Sequence, residues 1–255
     1  MKTIDLNADI GEADTPEWAA NEAAILSAVS SANIACGGHA GDAASMRTTV
    51  RLAKAAGVAI GAHPAYPDRK NFGRRSLVLG QDIAATDLSD TLRAQVLALA
   101  EICAEEGAEL AHIKPHGALY NDAVFDGKKA DLIARMMADL PMKLTLLGGP
   151  NSQMGRAAAD SNLSFVAEGF IDRRYTDDGH LLSRTIDGAV IADPEARLAQ
   201  AVALATTGAV QTHSGQTLVL QTRSLCVHGD SAGAVETARQ ARTALEAAGL
   251  SVKAF

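Results

Sequence analysis

The chain has 255 residues, 30 acidic against 23 basic for a net charge of −7, and 47% of it is hydrophobic. That balance argues against a nucleic-acid or anionic-membrane surface, and the hydrophobic share is that of a soluble globular protein with a sizeable core. Cys36, Cys103 and Cys226 share no C-x-x-C spacing and are odd in number, which suits a reducing cytoplasm; no apolar run reaches transmembrane length and no signal peptide is legible, so the expected location is cytosolic.

The first stretch, Thr3–Glu12, reads TIDLNADIGE. Asp5, Asn7 and Asp9 occupy every second position, with Ile4, Leu6, Ala8 and Ile10 between them, so a strand would put carboxylates and an amide on one face. A solvated edge strand also alternates. Here, however, the polar set is acidic or amide only, and Asp and Asn are poor strand formers, which favours a functional cluster. Gly11-Glu12 then ends the strand on another carboxylate.

Helical and extended patterns alternate from there. Pro16–Val29 reads as a helix with proline in its first turn. Ser31–Cys36 is a short apolar strand ending in Gly37-Gly38-His39. Asp42 caps a helix that Gly57 stops. Val58–Ala62 is a strand ending in His63-Pro64, and the loop from Ala65 to Gly80 is long enough to suggest function. A helix over Ala84–Glu106 precedes strand Glu109–Ile113, which ends in Lys114-Pro115-His116-Gly117. Helix Lys128–Leu140, strand Lys143–Leu147, helix Ser152–Asp160 and strand Leu163–Ala167, closed by Glu168-Gly169, follow. After a polar loop over Asp172–Ser183, Asp193-Pro194-Glu195 starts a helix; strand Thr222–Val227 ends in His228-Gly229-Asp230, and a last helix covers Ala232–Ala248. Seven strand–helix pairs without a linker-like break predict one domain over residues 1–255 with a parallel sheet. A closed (βα) barrel is the expectation and an open doubly wound sheet the alternative. No G-x-G-x-x-G follows the first strand, which counts against the open form.

Asp9 and Glu12, His39, His63, Lys114 and His116, Glu168, and His228 with Asp230 all fall at or just beyond strand carboxyl ends, where a parallel barrel builds its site. Any single one is ordinary; the ensemble is not. Two roles stay open. Asp5, Asp9, His39 and His63 are the residue types that hold Zn²⁺ or a similar divalent ion. Without a metal, the carboxylates would act as general bases while imidazoles and Lys114 stabilise an oxyanion.

The densest chemistry is His112–Asp122, HIKPHGALYND. Pro115 keeps Lys114 extended, and Tyr120 and Asn121 either bind a small polar substrate or cap a turn. Arg173, Arg174 and Arg184, with Arg69, Arg74 and Arg75, are suited to capturing a carboxylate or phosphate, unless they only pair with Asp172, Asp177 and Asp178. The chain has neither a G-x-S-x-G elbow nor a G-x-x-x-x-G-K-[ST] phosphate loop, which excludes a serine-hydrolase elbow and a self-contained P-loop for ATP.

DLNADIGE (Asp5–Glu12), NIACGGHAGD (Asn33–Asp42), GAHPAYPD (Gly61–Asp68), HIKPHGALYN (His112–Asn121), FIDRRYTDDG (Phe170–Gly179) and CVHGD (Cys226–Asp230) resemble, in order, the motifs of the LamB/YcsF family. The resemblance covers nearly the whole chain. It implies a seven-stranded (βα) barrel of the glycoside hydrolase and deacetylase type and an ATP-dependent 5-oxoprolinase reaction that opens 5-oxoproline to glutamate. It also implies two partner subunits of B and C type, on which the ATP site is expected to lie; self-association is left open. On that basis Asp9, His39, His63, Lys114, His116 and Glu168 are the catalytic candidates, and Asn7, Glu12, Tyr120, Asn121, Arg173, Arg174, Arg184 and His228 the substrate-binding ones. The chain departs from the family pattern at Ala13-Asp14-Thr15, Ile171 and Ser183, all in loops that shape substrate choice. A stand-alone metal-dependent amide hydrolase or deacetylase, and a non-catalytic substrate-binding subunit, are the alternatives.

Overall fold

A computed structural model describes residues 2–228 and 233–255, so Asp230 lies outside the described residues. In chain order the elements begin with β1 (Thr3–Ile10), α1 (Pro16–Leu26), β2 (Ser31–Ala35), α2 (Ala43–Ala56), β3 (Ala59–His63), α3 (Ala85–Glu105) and β4 (Leu110–Ile113). They continue with α4 (Gly117–Phe125), α5 (Gly127–Ala138), β5 (Thr145–Gly148), α6 (Gln153–Asp160) and β6 (Phe165–Phe170). The chain ends with α7 (Pro194–Thr206), β7 (Ala209–Gln211), β8 (Thr217–Val219), β9 (Ser224–Val227), α8 (Ala234–Ala247) and β10 (Ser251–Val252).

Strands β1 to β6 pair in sequence order, all parallel; β9 pairs with β6 on one side and β1 on the other, closing a seven-stranded ring. The barrel is therefore closed, and the open sheet is excluded. β10 extends β1 at its amino end, and β7–β8 is an antiparallel hairpin outside the ring. Local signals fix several boundaries. Asp42 and Ser45 form a reciprocal capping box at α2, and Gly57 closes that helix in the left-handed region. Asp193 caps α7 with Pro194 in its first turn. Thr15, in the departing Ala13-Asp14-Thr15 segment, caps α1 by accepting the Trp18 amide.

The apolar set of β1, namely Ile4, Leu6, Ala8 and Ile10, belongs to the core shared with the helices, alongside Leu88, Leu92 and Leu99 of α3. The other face of β1 is equally buried at Asp5 and Asn7 but joins a polar column running through the ring. Asn7 donates to Ser224 at 2.7 Å and to Glu168 at 3.2 Å, and Asn33 donates to Asn7 at 2.8 Å. A solvated edge is thereby excluded.

Four features differ from the sequence expectation. α4 forms where a loop motif was read, because its starting glycine (Gly117, φ 54°) and lack of a side-chain cap conceal a helix start. β6 runs three residues further than the apolar pattern, so Glu168 sits within the strand rather than after it. The β7–β8 hairpin and β10 are too short to give a periodic signal.

Gly61 in β3 leaves room for the His112 ring from the neighbouring strand; a Cβ there would come 2.0 Å from His112 Nε2. That nitrogen donates to Asn33 Oδ1 at 2.8 Å, so the ring cannot swing away without breaking the column. Gly61→Ala is expected to cost about 1–3 kcal/mol or more in urea denaturation, as overpacking does. A cost below about 0.5 kcal/mol would show that the column yields freely.

Candidate active site at the barrel mouth

Lys114 stands directly after β4 and is held in register by its amide, which donates to Ala62 O at 2.9 Å. Its ammonium group is buried and reaches Asp9 Oδ1 at 3.1 Å, Glu168 Oε2 at 3.1 Å, Cys226 Sγ at 3.1 Å and Asn7 Oδ1 at 3.3 Å. An ammonium has three hydrogens and here four acceptors. All three hydrogens of Lys114 therefore have acceptors among its neighbours. Burial works against its charge, but Asp9, Cys226 and Glu168 outweigh it and lift its pKa well above the usual lysine value. Asp9 shows the reciprocal effect. Burial opposes its ionisation, yet the charges of His63 and Lys114 hold its carboxyl well below the ordinary range. Asn33 also donates to Asp9 Oδ1 at 2.9 Å, while Oδ2 faces His63 Nε2 at 3.4 Å.

Above this charge network Glu12, His39, His63 and His116 converge, with one ligand atom from each lying within 4.8 Å of the others. His39 Nε2 lies 2.8 Å from Glu12 Oε1, and His116 Nδ1 lies 3.4 Å from the same oxygen. The His39 and His116 rings stack in parallel with centroids 3.5 Å apart. The tautomers follow from the outer partners. His63 Nδ1 contacts the Lys114 carbonyl at 2.7 Å and His116 Nε2 the Phe72 carbonyl at 2.9 Å; a carbonyl can only accept, so both nitrogens carry hydrogen. The remaining nitrogens, His63 Nε2 and His116 Nδ1, face each other at 3.0 Å. Two neutral rings would oppose lone pairs there, so this contact demands a shared proton or a cation.

Without a cation the proton belongs to His63. Burial disfavours its charge, but Asp9 overcomes that and raises its pKa. Burial, then the charge of His63, pushes both His39 and His116 down to about 2. Phe72, whose carbonyl orients His116, adopts φ 54°, a left-handed conformation that costs a bulky residue about 1–3 kcal/mol. The long loop after β3 thus holds strain where it meets the cluster.

A cleft of about 590 Å³ opens over these groups, lined on the catalytic side by Asp9, Glu12, His63, Lys114 and His116. Tyr120, Asn121, Phe170, Arg173, Arg184 and His228 line it elsewhere, and Arg74 stands at its rim with the guanidinium 5.0 Å over Phe72. His228 Nδ1 meets both oxygens of Asp172, at 2.8 and 2.9 Å; burial opposes the Asp172 charge, but His228 outweighs it and keeps the carboxyl pKa low. Asp172 therefore serves His228 instead of forming a surface pair with the arginines.

Several predicted residues sit elsewhere. Asp5 shares a face with Asp9 but lies four residues earlier, about 13 Å along the strand, so the two cannot share an ion. It accepts hydrogen bonds from Ser30, Ser31 and Ser224, and burial, only partly offset by those serines, raises its pKa. Asn7 and Glu168 belong to the column below the cleft, and Glu12 joins the histidines instead of the arginine side. Arg174 does not line the cleft. Sequence reasoning missed Asn33, His112 and Phe72. The two-residue spacing of His112 and Lys114, and a lone amide in the apolar SANIAC run, were the available signals for the first two; nothing in the sequence marks Phe72.

The LamB/YcsF family model matches residues 4–255. The chain is 43% identical over 252 residues to the A subunit of 5-oxoprolinase from Streptomyces avermitilis, covering 99% of both chains. The crystal structure of the lactam utilization protein from Thermus thermophilus superposes with a TM-score of 0.90 at 38% identity, covering all of both chains. The T48 deacetylase, solved with substrate, superposes with a TM-score of 0.51 at 13% identity over 98% of this chain and 87% of its own, a likeness of fold alone. No helix among the described residues is long and apolar enough to cross a membrane.

Replacing Lys114 with methionine would leave Asp9 and Glu168 buried without their cation. Lys114→Met is expected to cost about 3–5 kcal/mol in urea denaturation. A loss under about 1 kcal/mol would contradict the charge network described above.

Proposed function

The chain belongs to the LamB/YcsF family, and from that premise we propose that it is the A subunit of a 5-oxoprolinase, a hydrolase that opens the cyclic amide of 5-oxoproline to glutamate. One geometric observation supports a hydrolytic site here: Asp9 lines the same cleft as Glu12, His63 and His116, three members of a four-residue cluster completed by the buried His39. Water adds to the lactam carbonyl carbon, the C–N bond breaks, and the ring nitrogen leaves as an amine. Asp9 takes the proton from the attacking water and delivers it to the departing nitrogen. Lys114 acts through Asp9 as a positioning residue that keeps the carboxylate charged and fixed.

The donor set suits a divalent ion of the zinc class, because imidazole and carboxylate are its ordinary ligands and a bound ion would take the place of the proton between His63 Nε2 and His116 Nδ1. Glu12, His39, His63 and His116 would hold it. When bound, such an ion supplies Lewis-acid polarisation of a carbonyl and of water. This set replaces Asp5 and Asp9 of the sequence expectation. ATP coupling is assigned to partner subunits, since this chain carries no phosphate-loop motif.

Two outcomes test this reading. Asp9→Asn, assayed as glutamate release from 5-oxoproline with ATP and the partner subunits, should lower kcat by about 10²–10⁴-fold. An unchanged rate would make the chain a binding subunit, and turnover without ATP or partners would make it a stand-alone amide hydrolase. Calorimetric titration of the purified chain with Zn²⁺ should show about one site, weakened by about tenfold or more in His116→Ala. Equal affinity in the two proteins would remove His116 from the ligand set.

A further inference from the structure

Behind the cleft, α1 carries a carboxylate that the proposed reaction does not use. Glu22 is 5% exposed, buried with Ile25 and Leu26 of the same helix, and does not line the cleft. Its Oε1 accepts the Glu12 amide at 2.8 Å. Burial pushes the Glu22 carboxyl up to about 7, against the amides of Glu12, Gly11 and Ala13, which favour its charge. Gly11 turns the chain out of β1 with φ 81°. Successive amides around a left-handed residue make a concave seat for an anion, and here the anion is a side chain of the same protein. Buried backbone donors without a partner are costly, so an apolar residue at this position would leave the turn unsatisfied. The turn needs such support. The β1–β2 pairing ends at Ile10 with Ile34, so the sheet does not hold Glu12. Yet its side chain meets His39 Nε2 at 2.8 Å, His116 Nδ1 at 3.4 Å and His63 Nε2 at 4.0 Å. The helix that supplies the support is itself anchored, with Trp18 stacked on Phe72 at a centroid distance of 6.5 Å and Ile25 and Leu26 in the core.

We propose that Glu22 is a positioning residue for Glu12: by gathering the amides of the 11–13 turn, it fixes where the Glu12 carboxylate meets the histidines. It touches no substrate, and its effect passes through the backbone that carries Glu12. The inference deepens the reading of Glu12, His39, His63 and His116 as a cation site and rests on that reading for its affinity measurement. A carboxylate offers about four acceptor sites, enough for the amides of Gly11, Glu12 and Ala13. Glutamine keeps one oxygen but turns an NH₂ toward the same donors, and leucine keeps only the bulk. The two substitutions therefore grade the loss.

The first measurement is crystallographic, on the full chain without added metal. Glu22→Leu is expected to move the Glu12 carboxylate away from His39 by about 1 Å or more, a displacement that matters at a reacting centre. Glu22→Gln should move it less, and Ile25→Ala, which loosens the same helix away from the turn, should leave it in place. The second is calorimetric titration with Zn²⁺. Glu22→Leu should weaken binding by about 10- to 100-fold, the range for groups that orient metal ligands, and Glu22→Gln by less. In a Glu12→Ala background the same substitutions should weaken it no further, because the effect has lost its carrier. Should the leucine variant not fold, Glu22→Gln carries both measurements. An unmoved Glu12 carboxylate, an equal shift in Ile25→Ala, or the same further weakening in the Glu12→Ala background would overturn the proposal. A parent chain that binds no Zn²⁺ would remove the cation reading separately, and the Glu12–His39 distance would then decide alone.

Discussion

The buried pairing of Lys114 with Asp9 and Glu168 is the constraint on which the rest of the structure depends. A lysine with little access to solvent at the centre of a barrel is tolerable only with carboxylates in contact, and each carboxylate needs the lysine in turn. Satisfying the remaining acceptors draws in Asn7, Asn33, Ser224 and Cys226 from three strands. Parallel strands usually carry apolar residues on both faces. Here the outer face follows that rule while the inner one is a hydrogen-bonded column, so the ring must close with a fixed register to satisfy it.

From that column the site rises by geometry. Lys114 fixes Asp9 as an anion, and Asp9 in turn sets the charge of His63. His63 and His116 are each oriented by a backbone carbonyl, and the two free nitrogens they present to one another form a contact that demands a proton or an ion. The strained Phe72 belongs to the same construction, since its carbonyl selects the His116 tautomer. Catalytic and structural roles are therefore inseparable below the cleft and separable above it.

Much of this was legible in the sequence, for reasons that also explain what was not. Each strand is a short apolar run ended by glycine, proline or a polar group, so β-α alternation and the positions of His39, His63 and His116 could be read directly. The alternation in TIDLNADIGE placed Asp5, Asn7 and Asp9 on one face correctly. It could not say how far along the barrel each would act, and a strand rise of about 3.3 Å per residue separates Asp5 from the mouth. Glu12 reads as a substrate-binding carboxylate at the strand end, and its place among the histidines was not legible because His39, His63 and His116 are distant in the chain. Lys114 looked free because its four acceptors come from β1, β6 and β9, which no local pattern connects.

Strand ends far apart in sequence bring Glu12, His39, His63 and His116 together as one candidate cation site. Anomalous diffraction from crystals of the chain grown with Zn²⁺ tests it most directly. A single strong peak is expected about 2.0–2.2 Å from His63 Nε2 and His116 Nδ1, with Glu12 in the same coordination sphere. A peak elsewhere, or an unfilled cluster with the two nitrogens still bridged by hydrogen at full zinc exposure, would contradict it.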